Sequence, residues 1–488
     1  MSLALETILA VPVATAVLCA VIPGSKMRYA ASIIGSLLLL AVAIPVCIEA
    51  FNGSVIEYGM WYVDGLSALF LILISFIGLM VSIYSVGYIG ADRERNDISA
   101  NDERIYPVLF HTFVAVMIAV CIVSSFGMMW IAVEATTLVS AFLVGFYKKG
   151  PSTEAAWKYL LICTVGITLA LVGIILIYAS SLEILGNEPN ALDWMVLYSV
   201  APDLDPSMLR VAFVFILVGF GTKMGLVPMH TWLPDAHSQA PTPISAMLSA
   251  VLLNCALYPI MRFQMILDVA VPGFSGGLMI GFGLISMVVA AAFILISRNI
   301  KRMLAYSSIE HMGIIMIGLG IGTPLALFGA LFNIIAHSLT KTFAFLTVGN
   351  VVQGYGTSHF AEIRGVKEKM PFTAFMLIAA SAAVAGAPPF AIFIGEISVL
   401  VGAIGSGLYA VAAAMILLIL LIFAGVFRNI LPIMKGRTEK EVKEPRDISR
   451  MLPIVILLTV TIFLGLFMPE QLKEFLDSIV TTLLGGMI

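Results

Sequence analysis

Residues 211–243 read VAFVFILVGFGTKMGLVPMHTWLPDAHSQAPTP. The stretch opens as an ordinary apolar helix and then meets Gly221, Gly225 and Pro228, followed by Pro234, Pro241 and Pro243. Lys223 stands one turn before the interruption. Proline removes a backbone donor and breaks the local ladder. In hydrocarbon, freed backbone groups persist only where protein or a water-lined cavity satisfies them. The stretch therefore predicts a discontinuous membrane helix carrying a buried lysine.

The rest of the chain supports a membrane setting. It has 488 residues, 60% hydrophobic and only 11% charged, with a mean hydropathy of +1.06. Soluble domains carry roughly 25% charged residues, so this chain cannot coat a water-facing surface. A soluble enzyme, a nucleic-acid-binding module and a disordered protein are excluded. An all-α polytopic membrane protein remains. The net charge of −3 gives no sign of a polyanionic partner. Windows of about 20 apolar residues give about fourteen spans, near 4–22, 30–50, 65–88, 106–125, 127–147, 157–179, 208–229, 241–261, 275–297, 303–321, 323–349, 371–404, 406–431 and 451–468. The first span has no basic leading segment, so it reads as a retained helix. The tail from Pro469 reads as a short amphipathic end lying at the interface.

Basic residues test the span count. Under strict alternation, 21 of the 26 Lys and Arg fall in loops on one side. These include Arg298, Lys301 and Arg302. Arg210, Arg262 and Lys473 fall on the other side, and Lys223 and Lys341 lie inside spans. The positive-inside rule then places the basic loops in the cytoplasm and both termini outside. The five cysteines lie within spans without C-x-x-C spacing, which argues against disulfides and iron–sulfur ligation. There is no Walker loop, dinucleotide fingerprint or H-E-x-x-H. No cofactor or metal site is expected in this chain, and any linked redox chemistry belongs to partners.

An ionisable group at bilayer depth costs about 2.5–3.5 kcal/mol on insertion scales and is a functional hypothesis by default. Glu134, Lys223, Glu310, Lys341 and Glu396 qualify, with His311 and His337 beside them. For Glu134 the bland reading is a packing carboxylate, and the sharp one is an acid paired with a buried base. Snorkelling explains Lys223 poorly, because it lies deep in its apolar run. The segment AASAAVAGAPPFAIFIGEISVLVGAI (379–404) holds a second break at Pro388 and Pro389, with Glu396 two turns later. Paired broken helices point to a transport site built on internal repeats. Between the breaks, Asn333, His337 and Lys341 recur at i, i+4, i+8 on one helix face. Neutral imidazole both accepts and donates a proton, so two histidines on consecutive spans beside a lysine read as a relay. His111 reads as packing. His230, Asp235 and His237 fall in the loop after the first break, as a proton entrance or a solvated turn. The set crosses the middle of the bundle, and a proton moving along it would travel in the membrane plane.

At these residues the sequence resembles the antiporter-like proton-translocating subunits of respiratory complex I, the Mrp-type antiporters and the group 4 membrane-bound hydrogenases. The carrying segments are WIAVEATTLVS, GFGTKMGLVPMHTWLPDAHSQAPTPISAMLSAVLL, KRMLAYSSIEHMG, IIAHSLTKTFAFLTVGN and PPFAIFIGE. Within that family, EATTLVS and SIEH are most similar to the component F branch of hydrogenase-4 and formate hydrogenlyase-type complexes. The resemblance implies about fourteen transmembrane helices, two inverted five-helix repeats and discontinuous helices 7 and 12. It divides the chain into 1–105, a first repeat 106–261, a second repeat 275–431, and a last helix with its tail, 451–488. It places Glu134 and Lys223 on the pair of the fifth and seventh helices, His337 and Lys341 on central relay positions, and Glu396 at the exit. One departure stands out. Complex I members often carry a lysine in the eighth helix, where SAVLLNCALYPIMRF has Asn254. An amide cannot titrate, so water with His311 and Glu310 must bridge that gap or conduction is poor.

The expected function is an ion-translocating subunit, for H⁺, of an energy-converting oxidoreductase complex in the cell membrane. Iron–sulfur and nickel–iron sites are expected in its partner subunits, both membrane-embedded and peripheral. The alternatives are a subunit of a multi-subunit Na⁺/H⁺ antiporter without a redox partner, and an inert membrane scaffold.

Overall fold

The computed structural model describes residues 2–186 and 188–485. The ends of the outermost expected units, at 1 and 488, lie outside the described residues. In chain order the helices are α1 Ser2–Val21, α2 Ser25–Phe51, α3 Gly65–Glu94, α4 Ala100–Ile122, α5 Phe126–Val144, α6 Gly150–Leu185 and the short α7 Trp194–Ser199. Then come α8 Pro206–Met224, α9 Trp232–Gln239, α10 Thr242–Met247, α11 Leu253–Ala270, α12 Phe274–Ile296, α13 Ile300–Ile321 and α14 Pro324–Tyr355. The chain finishes with α15 Val366–Lys369, α16 Pro371–Val384, α17 Ala391–Gly405, α18 Tyr409–Met434, α19 Ile448–Leu466 and α20 Glu470–Leu483. Thirteen segments of the described residues are long and apolar enough to cross a membrane. The expected window 371–404 is divided into the shorter apolar helices α16 and α17. One feature departs from an all-α chain: a two-stranded hairpin, β1 Ile56–Tyr58 with β2 Trp61–Val63, caps one end of the bundle.

Both broken spans stop in the same way. At the end of α8, the Leu226 N–H donates to the Gly221 carbonyl and the Gly225 N–H to that of Thr222. At the end of α16, Ala387 donates to Ala382 and Gly386 to Ala383. This is the Schellman arrangement, which needs a left-handed residue; Gly225 (φ +84°) and Gly386 (φ +68°) supply it. Each break then passes a cis X–Pro peptide, Val227–Pro228 and Pro388–Pro389. In each half a long continuous helix packs against the broken span, α6 on α8 and α14 on α17. Small residues allow this approach. A Cβ on Gly219 would lie 2.4 Å from the Ala170 nitrogen, and one on Gly395 would lie 2.9 Å from the Asn333 Cβ.

The spans richest in polar residues occupy the centre. The window in α14 and that in α10–α11 are each 100% buried, whereas that in α19 is 28% buried. The outer helices instead show aliphatic flanks, including Leu417, Leu420 and Leu466, to the surroundings. The tail forms the amphipathic helix expected of it. Its Phe475, Leu476, Ile479 and Val480 are buried, with Phe475 and Ile479 against Gly65 at the start of α3. All five cysteines are buried and free.

The basic loops gather at one end of the bundle. Asp235 pairs with Arg302 (2.8 Å) and Lys158 (3.5 Å), Lys148 with Asp102 (2.5 Å), and Arg450 donates to Gln353 (2.6 Å). Four basic residues assigned to loops from the sequence are buried in helices among the described residues: Arg28 in α2, Arg450 in α19, and two more deeply placed. Arg262 is fully buried inside α11, and Lys301 is buried in the first turn of α13. All four were misplaced because window arithmetic treats a charge near a span end as lying outside it.

Candidate functional site: a buried file of titratable groups

The site is strongest in the second half of the chain. Asn333, His337 and Lys341 lie on one face of α14, and all are completely buried. The Lys341 ammonium donates to the Ser307 hydroxyl and to the Leu304 carbonyl (3.3 Å) on α13. His337 follows one turn away, and neither of its ring nitrogens has a partner. Its ring lies 5.5 Å, centre to centre, from that of His311 on α13. His311 Nε2 bonds the Val384 carbonyl (3.1 Å), one of those left free where α16 breaks. Its Nδ1 faces Glu396 Oε1 on α17 at 3.5 Å. Glu310 joins this group, its Oε2 without a partner. The break positions the acid: the Glu396 carboxylate rests against Gly386, where a Cβ would lie 2.1 Å from Oε2. A side chain at 386 would occupy the carboxylate's place.

The first half is organised differently from expectation. Lys223, in the last turn of α8, makes no ion pair within 4.0 Å with Glu134. It donates instead to Thr137 Oγ1 (2.9 Å) and to the Tyr159 hydroxyl. Tyr159 also bonds Ser140 (2.6 Å). Glu134 is one turn from Thr137 on α5 and accepts from Thr164 (2.9 Å). It is only half-buried, on a face that also exposes Ile131 and Leu138. The ammonium is thus held by hydroxyls of Thr137 on α5 and Tyr159 on α6, and the acid by the hydroxyl of Thr164 on α6.

The segment after the first break is a helical turn and α9 rather than a loop. His230 is largely buried beside Tyr306, with ring centres 6.3 Å apart. Asp235 is held at the basic end by Lys158 and Arg302. His237 is no part of a solvated turn: it is fully buried, its ring stacked on Phe345 at 5.2 Å, with both nitrogens unpartnered. Asn254 is also buried. It donates to Ser338 (2.8 Å) and to the Ala250 carbonyl (2.8 Å), while its Oδ1 has no partner. The Ser249–Ser308 hydroxyl pair (2.7 Å) joins Asn254 and Ser338 as fully or almost fully buried polar groups of these central helices. His111 is a packed residue bonded to Ser32 (2.8 Å). Pro228, Pro388 and Pro389 lie in the breaks.

Sequence reasoning missed three features. The first is Lys301, which donates to the Ala240 carbonyl (2.5 Å). It lines a cleft of ≈ 380 Å³ at the basic end with Asp92, Tyr147 and Gln353. Its only signal was a helix face shared with Leu304, Ser308 and His311. The second is the buried pair of Arg262 with Asp64 (2.5 Å), with the guanidinium 4.0 Å over the Trp194 ring. Burial opposes ionisation of Asp64. The Arg262 charge and hydrogen bonds from Arg262 and Ser67 outweigh it and hold the carboxyl below its ordinary range. The third is the Thr137–Tyr159 bridge, invisible because its two residues lie on different helices.

The family description "NADH:quinone oxidoreductase/Mrp antiporter, TM" matches residues 124–422, and "NADH-Ubiquinone oxidoreductase (complex I), chain 5 N-terminus" matches 55–97. The chain belongs to the NADH:quinone oxidoreductase/Mrp antiporter family. Among its relatives, a hydrogenase-4 component F homolog of Methylacidiphilum infernorum is 40% identical over 69% of this chain and 71% of its own length. NADH-quinone oxidoreductase subunit N of Desulforudis audaxviator is 29% identical over 83% of this chain and 81% of its own length. The fold matches a chain of the archaeal membrane-bound sulfane sulfur reductase (TM-score 0.88, 23% identity, 100% of both chains). It also matches a chain of the Mrp complex of Dietzia (TM-score 0.85, 21% identity, 99% of this chain and 97% of that one). This family member is accordingly a multi-pass integral membrane protein of the antiporter-like type. The family match spans every group of the file from Glu134 to Glu396.

Proposed function

We propose that this chain is the proton-carrying subunit of an energy-converting oxidoreductase complex of the hydrogenase type. The observation that carries the reading is the cluster of fully buried titratable groups Lys341, His337, His311 and Glu396 on three neighbouring helices, with His311 and His337 ring centres 5.5 Å apart and His311 3.5 Å from Glu396. Ionisable side chains are expensive at this depth, and packing alone would be served by apolar ones. The half-buried Glu134 is the group that a neighbouring membrane subunit would cover, which suits a hand-over of charge between subunits. In this reading the chain holds no redox cofactor. Iron–sulfur and nickel–iron sites reside in peripheral partners. The basic loops face the cytoplasm across the cell membrane, and both termini face outward.

Glu396→Gln tests the role of the file. Pumping is expected to fail while the partner's redox turnover survives in uncoupled or slowed form. A normal proton-to-electron ratio in that variant refutes the assignment. A second reading is an Mrp-type Na⁺/H⁺ antiporter component. It is favoured by the match to the Dietzia chain and by 30% identity to a Na(+)/H(+) antiporter protein of Alkalihalophilus pseudofirmus, over 69% of this chain and 42% of that protein. Sodium-dependent proton flux without redox turnover would select it, as would neighbouring genes for small antiporter subunits instead of hydrogenase subunits.

A further inference from the structure

The donor atoms of Glu310, His311 and Glu396 all lie within 4.8 Å of one another, in a region where each residue is at least 96% buried. Three of these atoms have no partner: Glu310 Oε2, His311 Nδ1 and Glu396 Oε1. The arrangement has a defined polarity. Because His311 Nε2 faces the Val384 carbonyl, it carries the N–H in the neutral ring. Its Nδ1 then carries a lone pair, 3.5 Å from a carboxylate oxygen. Two acceptors do not attract one another, so the space between them suits a cation.

We propose that Glu310, His311 and Glu396 form a binding site for one divalent transition-metal ion of the Zn²⁺ type. Hard cations such as Mg²⁺ and Ca²⁺ take oxygen ligands, whereas one imidazole with two carboxylates suits Zn²⁺. Zn–N and Zn–O bonds of about 2.0–2.2 Å put tetrahedral ligands roughly 3.3–3.5 Å apart. His311 and Glu396 already meet that spacing, and the third ligand closes by movement of the flexible Glu310 carboxylate. The outer contact fits as well. A metal-bound histidine nearly always donates its other N–H to a carbonyl or carboxylate, which fixes the tautomer, and Val384 provides that acceptor. Two carboxylates balance the charge of the ion. No metal was expected from the sequence because the ligands come from two helices, His311 and Glu396 far apart along the chain, and show no spacing motif. The site stands whether or not protons use the file. One consequence does rest on the proposed function: an ion held here occupies the space between His311 and Glu396 and arrests transfer.

The test uses the full-length protein in detergent, stripped by a chelator and titrated with Zn²⁺ by calorimetry, with X-ray absorption at the zinc edge. The expected result is one high-affinity ion per chain, with a nitrogen–oxygen shell containing one imidazole and no sulfur. Glu310→Gln and Glu310→Ala are expected to weaken binding at least tenfold, while Glu362→Gln, a surface carboxylate, leaves it unchanged. Equal elution profiles and melting curves establish that the variants are folded. Unaltered binding in both Glu310 variants, or a sulfur-containing shell, overturns the site. Zinc that binds with the expected spectrum but leaves pumping intact upholds the site and counts against the relay.

Discussion

Gly386→Ala separates the geometry of the Glu396 carboxylate from the stability of the fold. A Cβ at 386 would lie 2.1 Å from Glu396 Oε2 and 2.9 Å from its Cδ. An ordinary contact needs about 3.4 Å between such atoms, so the carboxylate must retreat by roughly 1.3 Å. Oε1 moves with the carboxylate, so the present 3.5 Å spacing of His311 and Glu396 is lost. The stability cost is small, because Glu396 yields at the free end of a flexible chain. The left-handed backbone at 386 (φ +68°) adds about 1–2 kcal/mol for a residue with a side chain. A misplacement of about 1 Å in a transfer geometry can cost about 100-fold in rate. The variant should therefore assemble normally and lose most proton movement. The assay is fluorescence quenching of a pH-sensitive dye in inverted vesicles, run with redox turnover and a melting curve on the same preparation. Normal quenching by a fully assembled Gly386→Ala protein would show that the position of Glu396 against the break is immaterial.

Other expectations follow from the same contacts. Lys223→Ala and Glu134→Gln should each abolish pumping with assembly intact; pumping that persists in both restores the inert-scaffold reading. Arg262→Met leaves Asp64 buried without its counter-charge and should destabilise the protein by about 3–5 kcal/mol, with much of the loss recovered by adding Asp64→Asn, as read from thermal melting in detergent. Asp64 also gives an acid limb to stability. Its folded carboxyl is held below the unfolded value of about 3.9, so its contribution is complete above that pH and is lost as pH falls through the lower folded value. The melting temperature of Asp64→Asn should consequently fall less on acidification than that of the parent, and parallel curves would contradict this.

The architecture was largely readable because hydrocarbon imposes strict rules. Length and apolar runs located the spans, and prolines 228, 388 and 389 marked both breaks, since irregular backbone at that depth needs a reason. The stripe of 333, 337 and 341 was readable because helical period alone decides it. What escaped depends on which helices meet. Tyr159 belongs to a different helix from Lys223, and nothing in its own segment announces that its hydroxyl takes the place next to the ammonium. Arg262 and Lys301 lie near span ends, where a topology count and a buried role look alike until neighbouring helices are placed. His237 sat in a proline-rich stretch that reads as a turn, yet α9 folds it inward onto Phe345.

The burial of every native thiol has a practical consequence for orientation in the membrane. With Cys19, Cys47, Cys121, Cys163 and Cys255 all shielded, an impermeant maleimide meets a blank background on the folded chain. Single reporters can then be read without first stripping the protein of sulfur. Ser54 is exposed beside the cleft lined by Asp64 and Arg262, and Glu439 is exposed in the basic segment on the other end. In the proposed orientation, Ser54→Cys is expected to be labelled in intact cells and Glu439→Cys only after the membrane is opened; the reverse pattern would refute that orientation.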